Sequence, residues 1–332
     1  MSININQTSN KMNIYFYCPI ANEPIGAFKE IYKHAQCLAE LGYNAFVVHN
    51  KKHKESWFRT NVDPVICPLK DLKSITTKDD VLVILEVSTF LLQYVNCQRV
   101  IVFNQAPFRT FHNWGLATSD PNPYKDTRIS AVITVSANAI NYIQHLNLKV
   151  PIYRIHCFAD QSLFSFTNYE NKRDQIALMT RRNFDDIEQV IQLLYLRSKS
   201  NYIDRYKIKY IEKRTELQTA RTLKKSKFFL HFGYQEGFGI PVLEAMMCGC
   251  VVIGYGGFGG DELYKNSHSR KVPTSDIITY VQEIESLIKT DIHKPEIIKR
   301  MSEKATTYAN KNYNKTKYYN ELKQIWSKIM GS

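Results

Sequence analysis

The sequence contains no apolar run long enough to span a membrane, and residues 1–13 lack the apolar core of a signal peptide. It also lacks a disulfide framework, because its seven cysteines are odd in number and lie mostly within apolar runs. Such cysteines are typical of reduced, buried thiols in a cytoplasmic protein. Cys248 and Cys250 are too close together for a usual zinc pair, and the sequence has no second pair, so we expect no metal centre.

The composition, 44% apolar and 23% charged, is typical of a soluble globular protein, and 332 residues are too many for one ordinary core. The net charge of +13 is uneven: residues 1–170 hold 16 basic and 13 acidic side chains, and residues 171–332 hold 28 and 18. This excess predicts a basic solvated face. Attraction of nucleotide phosphates and peripheral contact with anionic lipid are the functional alternatives. Nucleic-acid binding is a lesser alternative, and we expect none, since no aromatic-plus-basic binding motif is present.

Strand-like and helix-like segments alternate along two halves of the chain, which predicts an α/β protein with two doubly wound parallel layers and a helical tail. A looser stretch at residues 158–173 separates the halves. Ligands bind such sheets at the carboxyl ends of the strands, so the cleft between the two layers is the natural site. The predicted strands are 13–18, 45–48, 81–85, 100–103, 132–135, 152–155, 176–179, 208–211, 228–232 and 251–253, and the predicted helices are 28–41, 137–146, 186–196, 217–223, 277–288, 297–309 and 318–329.

Residues 235–249 have the pattern of a glycine-bearing turn that leads into a helix, with a strand on each side. Pro241 suits the first helical position, where its missing N–H costs nothing. A helix start has free N–H donors and attracts phosphate. Two carboxylates lie here, Glu236 in the turn and Glu244 on the helix, and they are best used as acceptors of hydrogen bonds from hydroxyls. Phosphate together with many hydroxyls indicates a sugar nucleotide.

The stretch Glu236-Gly-Phe-Gly-Ile-Pro-x-x-Glu244-Ala-Met, followed by Cys-Gly and Val-Val, resembles the Glu-x7-Glu signature of group 1 glycosyltransferases. Weaker similarities lie at residues 38–43, 133–136 and 178–182. These enzymes have the GT-B fold, in which two Rossmann-like domains face each other. The resemblance therefore implies an N-terminal acceptor domain at 1–165, a donor domain at 166–310, and a last helix at 311–332 that packs back on the first domain.

The resemblance also implies a reaction. A hexose or related sugar would pass, with retention of anomeric configuration and without an essential metal, from a UDP- or GDP-linked donor to a glycan or lipid-linked acceptor. No cofactor besides the donor is implied. The enzyme would be cytoplasmic, with peripheral contact at an anionic membrane as a further possibility.

Each candidate site residue takes its role from its position in this resemblance. Glu236 would be catalytic, contacting donor-sugar hydroxyls near the reacting centre. Glu244 would hold the ribose diol, and Arg181 or Arg182 would neutralise the diphosphate. The remaining donor contacts would come from the N-domain loop and the turn, at Gly26, Gly237, Phe238, Gly239 and Ile240, and acceptor contacts from Asn104 and from His112 in an aromatic loop at 108–114.

Two departures from the family pattern keep a second hypothesis open. The family often has a lysine about six positions after the strand-end arginine, where this chain has Ile187 and Glu188. It often has a histidine where this chain has Asn104-Gln105. A glycosyltransferase-like binding subunit without catalysis is therefore the alternative. Lys213 or Arg214 is a candidate substitute for the lysine.

Two other interpretations are weaker. Gly254, Gly256 and Gly259 follow a strand and match a dinucleotide fingerprint, with Asp276 about twenty residues later, but no long helix is predicted after them. Glu236 and Glu244 could also form a hydrolase acid pair, although their separation cannot be predicted from sequence. His231, within a predicted strand, is interpreted as a packed core residue.

Overall fold

The computed structural model describes residues 12–331 except Asn22, Lys54 and residues 113–121, and for Ser200 and Asn201 it describes only the backbone. Within this part of the chain the strands are β1 (Asn13–Tyr17), β2 (Asn44–His49), β3 (Val65–Ile66), β4 (Val81–Leu85), β5 (Arg99–Asn104), β6 (Ile129–Thr134), β7 (Ile152–Arg154), β8 (Arg173–Met179), β9 (Lys207–Ile211), β10 (Ser226–His231), β11 (Val251–Tyr255) and β12 (Ser269–Val272).

The helices alternate with these strands and then continue alone to the end of the chain. They are α1 (Gly26–Glu40), α2 (Leu72–Ile75), α3 (Ala137–Gln144), α4 (Phe184–Leu196), α5 (Ser198–Asn201), α6 (Glu216–Lys225), α7 (Ile240–Met247), α8 (Ile277–His293), α9 (Pro295–Asn312) and α10 (Lys315–Gly331).

The strands form two parallel sheets. The first has the order β3-β2-β1-β4-β5-β6-β7 and the second the order β12-β11-β10-β8-β9. Central strands such as β4 are buried along their whole length, as expected where helices cover both faces of a parallel sheet. The predicted fold class, two doubly wound α/β layers with a helical tail, is confirmed.

Three details differ from the prediction. Gly26 is the first residue of α1 and not a loop residue. The helix predicted at 217–223 is α6, which is longer, Glu216–Lys225, and buries Thr219, Ala220 and Leu223 against the sheet. The short strand β12, at the edge of the second sheet, was missed because three of its four residues are polar or charged.

The two sheets share one continuous apolar core. It extends from Phe16 in β1 through Phe164 in the connection to Leu243 on α7, so the domains meet through packed side chains. Helix α9 covers the outer side of α7: Ser302 Oγ donates to the Gly249 carbonyl at 2.7 Å, and Thr306 Oγ1 donates to the Met246 carbonyl at 2.8 Å. The orientation of α7 is therefore fixed from both sides.

The last helix, α10, contacts the first domain. Trp326 is fully buried, and its Nε1 donates to Nε2 of His34 on α1 at 2.9 Å. Burial lowers the pKa of His34 to about 3, so the ring stays neutral and can accept this bond. Earlier on α10, Glu321 accepts a hydrogen bond from the backbone N–H of His156 at 2.8 Å. The helix thereby connects the end of the second domain to the first.

We predict that Trp326→Ala lowers the free energy of unfolding by about 3–5 kcal/mol, because it leaves a large cavity and removes the partner of His34. Urea unfolding followed by tryptophan fluorescence and circular dichroism measures the change. Lys328→Ala, an exposed position two residues away on α10, is the control and should shift stability by less than about 0.5 kcal/mol. Equal effects of the two substitutions would contradict this docking of α10.

Candidate active site

The turn before α7 has a backbone that few residue types can adopt. Gly239 has a φ of +91°, in the left-handed region, and directly precedes α7. Pro241 follows within the first helical turn, so the sequence both bends the chain and starts the helix. The Glu236 N–H donates to the Gly257 carbonyl at 2.7 Å, and the Gly259 N–H donates to the Glu236 carbonyl at 3.0 Å. These bonds attach the turn to the loop after β11.

Glu236 lies beside an arginine and a histidine. Its Oε1 is 3.5 Å from Nε of Arg182, which also donates from Nη1 to the Gln235 carbonyl at 3.0 Å. Glu236 Oε1 and His231 Nε2 each lie 2.5 Å from the point that a Cβ on Gly233 would occupy, so the missing side chain of Gly233 leaves room for both. The candidate catalytic carboxylate therefore has a cation on one side and an imidazole on another.

His231 is buried, as the sequence predicted, and burial lowers its pKa. The neutral ring places Nδ1 2.9 Å from the Tyr255 carbonyl, which can only accept. Nδ1 must therefore carry the proton, and Nε2 presents a lone pair toward the Glu236 side of the ring. Sequence reasoning did not predict that this core histidine borders the site.

Three arginines approach one another at the mouth of the cleft. Arg181 and Arg182 follow the carboxyl end of β8, and Arg181 Nη1 donates across the cleft to the Pro24 carbonyl at 2.8 Å. Partial desolvation and then the charge of Arg182 lower the pKa of Arg181, and Arg109 of the first domain adds a smaller effect of the same sign. Crowded cations of this kind favour an anion between them. Arg109 was not predicted.

The first domain meets the turn backbone to backbone. A Cβ on Gly237 would overlap the carbonyl oxygen of Gln105, just beyond β5. Gln105 Nε2 donates to the Ala27 carbonyl at 3.0 Å, next to Gly26 at the start of α1. A Cβ on Gly26 would lie 4.0 Å from Ile240 Cδ1. The structure thus brings Gly26 together with the turn residues predicted to bind the donor.

Glu86 stabilises the contact between Gln105 and Gly237 by bonding to the Gln105 backbone. It directly follows β4, and its Oε2 accepts the Gln105 N–H at 3.0 Å. The side chain is buried, with 3% of its surface exposed, and this burial raises its pKa from 4.5 to about 7 despite hydrogen bonds from its own backbone and from Gln105. A carboxylic acid at the end of a parallel strand was a signal that sequence reasoning could have used.

Glu244 is buried on α7, and its Oε1 lies 2.8 Å from Nζ of Lys29 on α1. The same Nζ lies 2.7 Å from Oε1 of Glu216, at the start of α6. Burial raises the pKa of Glu244, whereas the neighbouring Lys29 opposes that rise. Glu236 and Glu244 are thus in different surroundings. Neither Lys29 nor Glu216 was predicted to belong to the site.

The two acceptor candidates lie in different surroundings. Asn104 is fully buried, and its Nδ2 donates to Thr110 Oγ1 at 2.7 Å and to Tyr124 Oη at 3.1 Å, so the structure does not bring it to the cleft surface. His112 is exposed, in the turn after Arg109. The rest of the predicted aromatic loop, from residue 113, lies outside the described residues.

The glycine-rich loop after β11 is not a dinucleotide fingerprint. That motif requires a long helix directly after the loop, and here a short 3₁₀ turn, Asp261–Leu263, follows. The loop packs on the turn instead, since a Cβ on Gly259 would overlap the Gly237 carbonyl. Asp276 caps α8, where it accepts the Thr279 N–H at 3.0 Å. Lys213, a candidate substitute cation, is exposed and has a φ of +46°.

Metal clusters and membrane spans are two features that the described ranges do not contain. These ranges contain no group of three or more His, Cys, Asp or Glu side chains arranged to hold a metal ion. They likewise contain no helix with the length and apolarity needed to cross a bilayer. All seven cysteines are buried free thiols.

The sequence is similar to those of known glycosyltransferases. Residues 200–308, which include α7 and both flanking strands, match the family model described as glycosyl transferases group 1. The chain is 25% identical over 262 residues to an alpha-1,6-glucosyltransferase of Actinobacillus pleuropneumoniae serotype 7, a match that covers 77% of this chain and 75% of that protein. Residues 200–308 are therefore similar to the group 1 glycosyltransferases.

Solved structures establish the fold. A sucrose-phosphate synthase of Thermosynechococcus elongatus superposes with a TM-score of 0.69 at 12% identity, covering 97% of this chain and all of the other. Anabaena HepE in complex with UDP-glucose gives a TM-score of 0.65 at 13% identity, covering 96% of this chain and 100% of that one. The chain has the GT-B fold.

We predict that Gly237→Ala lowers the midpoint of thermal unfolding by several degrees, because the new Cβ must push the Gln105 backbone away and part the domains. Overpacking of this kind costs about 1–3 kcal/mol. Differential scanning fluorimetry measures the shift. Gly26→Ala is the matched control, with room for its Cβ. An unfolding midpoint for Gly237→Ala equal to that of the control would show that the two backbones are not in close contact.

Glu86 should make stability depend on pH. Because folding raises the pKa of this acid from 4.5 to about 7, its contribution is most favourable below pH 4.5 and is lost as pH rises through 7. Relative to Glu86→Gln, the wild type should lose on the order of 3 kcal/mol between pH 4.5 and pH 8. Urea unfolding of both proteins across this range gives the difference. A difference that stays constant with pH would contradict the raised pKa.

Proposed function

We propose that this protein is a glycosyltransferase that transfers a sugar, with retention of anomeric configuration and without an essential metal, from a nucleotide-sugar donor to a hydroxyl acceptor. One observation carries the proposal. The turn at residues 235–239 and the start of α7 lie in one cleft with Arg181, Arg182 and the start of α1, within a GT-B fold. The family match over residues 200–308 supports the same conclusion.

The cleft suits a leaving nucleoside diphosphate. Negative charge develops on the diphosphate as the glycosidic bond breaks, and fixed positive groups that face this charge lower the barrier. Arg181 and Arg182 supply two cations at the end of β8, and the N-terminus of α7 adds backbone N–H donors. Arg109 is an additional cation on the opposite side. In this proposal the arginines neutralise the charge on the diphosphate, a role that a metal ion has in other transferases.

Glu236 is the residue proposed to contact the donor sugar. Its carboxylate lies beside the turn backbone, and its Oε1 is 3.5 Å from Nε of the Arg182 cation. A carboxylate in this position accepts hydrogen bonds from sugar hydroxyls and stabilises positive charge that develops on the sugar ring in the transition state. The neutral Nε2 of His231 is a second acceptor at the same side of the site.

The relatives suggest the donor class. Solved structures of Anabaena HepE are complexes with UDP and with UDP-glucose, and the Actinobacillus relative is a glucosyltransferase. We therefore propose a UDP-linked hexose, with a GDP-linked sugar as the alternative, and a glycan or lipid-linked acceptor bound from the side of His112. Free buried cysteines support a reducing compartment such as the cytoplasm. Peripheral contact of the basic second domain with anionic lipid is part of this proposal.

We expect Glu236→Ala to reduce sugar transfer at least about 100-fold while the protein remains folded, because a group aimed at developing charge is lost. Release of UDP or GDP from a panel of sugar nucleotides, with glycan and lipid-linked acceptors, measures the rate. Proton NMR of the product gives the anomeric configuration, and EDTA tests metal dependence. Glu188→Ala, an exposed carboxylate on α4, is the control.

Different results would overturn different parts of the proposal. Full activity of Glu236→Ala would remove Glu236 from the site. An inverted product, or activity abolished by EDTA, would contradict retention or metal independence. Binding of sugar nucleotides without any turnover would favour the non-catalytic binding subunit, and thermal-shift titration detects such binding directly.

A further inference from the structure

Lys29 is enclosed between two carboxylates at the junction of the domains. Its Nζ lies 2.7 Å from Glu216 Oε1 and 2.8 Å from Glu244 Oε1. The three side chains are nearly buried, with 9%, 13% and 7% of their surfaces exposed. The rings of Trp57 and Phe164 lie 6.0 and 5.9 Å from Nζ, so the ammonium group is surrounded by apolar surface outside its two ion pairs.

The three charged residues come from separate parts of the chain. Lys29 lies in the first turn of α1, Glu216 is the first residue of α6, and Glu244 lies at the middle of α7. The Glu216 backbone N–H donates to the Trp57 carbonyl at 2.8 Å, which adds a third bond between the domains at this point. Lys29 of the first domain therefore forms an ion pair with Glu244, the second carboxylate of the turn-and-helix motif.

Glu244 depends on Lys29 to keep its carboxylate ionised. Burial raises the pKa of Glu244, whereas the positive charge of Lys29 is the strongest influence that lowers it. If one partner of a buried pair is removed, an uncompensated charge remains, and such a carboxylate takes up a proton. An ionised carboxylate accepts two hydrogen bonds from a vicinal diol, whereas a protonated one must use one oxygen as a donor.

We propose that Lys29 is a positioning residue for nucleotide recognition: by bonding to Oε1, it keeps the Glu244 carboxylate ionised and in one orientation for the ribose diol of the donor. This inference rests on the proposed function and on the role that the family resemblance implies for Glu244, which is to bind the ribose of the donor. It adds that a residue of the first domain controls ribose recognition by the second. Ribose selectivity then requires both domains to be in contact.

The test separates this role from a structural one by measuring a ratio of affinities. Isothermal titration calorimetry gives Kd for UDP and for 2′-deoxy-UDP, with GDP and its 2′-deoxy form if the thermal-shift screen selects guanine. The variants are Lys29→Met, Lys29→Arg and the double variant Lys29→Met with Glu216→Met, which replaces one ion pair with apolar side chains and limits the loss of stability. Circular dichroism verifies folding.

We expect the wild type to bind UDP at least about tenfold more tightly than 2′-deoxy-UDP, as for a hydrogen bond to a charged group. Lys29→Met and the double variant should lower this ratio to less than about threefold, and Lys29→Arg should restore most of it. A purely structural role would weaken both ligands equally and leave the ratio unchanged, which would overturn the inference while the proposed function stands.

Two other results would also decide the matter. Tighter UDP binding after removal of Lys29 would show that Lys29 blocks Glu244, and the inference would be wrong. A wild type that binds neither nucleotide, or that binds UDP and 2′-deoxy-UDP equally, would overturn the ribose assignment of Glu244 and the inference with it.

Discussion

The close approach of two backbones, at Gly237 in one domain and Gln105 in the other, is the constraint on which the cleft depends. A side chain at Gly237 would overlap the Gln105 carbonyl, so a glycine is needed there for steric reasons alone. Glu86 holds the Gln105 N–H, and α9 holds α7 from the opposite side. The turn therefore lies between two supports, the Gln105 backbone of the first domain on one side and α9 on the other.

Much of the fold could be predicted from the sequence, because its signals are local. Apolar runs such as β4 identify buried parallel strands, and the glycine and proline of the 239–241 turn indicate where a helix begins. The strand β12 gave no such signal, since an edge strand buries little and carries polar residues. The bond between Trp326 and His34 joins residues 292 positions apart, and a helical pattern does not reveal what its apolar face covers.

The site was predictable only in part, because sequence signals are local and some of its contacts join residues far apart in the chain. Glu236, Glu244 and the strand-end arginines follow recognisable elements, and the structure places them around one cleft. Lys29 could not be predicted, because its partners Glu216 and Glu244 lie 187 and 215 positions away in the sequence. Its position on α1 has the pattern of an ordinary helical lysine. Asn104, chosen for its place at the end of β5, is instead used inside the first domain by Thr110 and Tyr124.

The two ends of the proposed cleft differ in charge, and in the proposed function this difference matches the two ends of a nucleotide. Arg181 and Arg182 crowd one end, where an anion relieves their mutual repulsion. At the other end two carboxylates share the single ammonium of Lys29, which leaves an excess of acceptors over donors. A diphosphate suits the first environment and a diol, which donates two hydrogen bonds without adding charge, suits the second. A ligand that carried phosphate at both ends would meet the buried carboxylates, so under the proposed function this arrangement would favour a nucleoside diphosphate and disfavour a phosphorylated ribose.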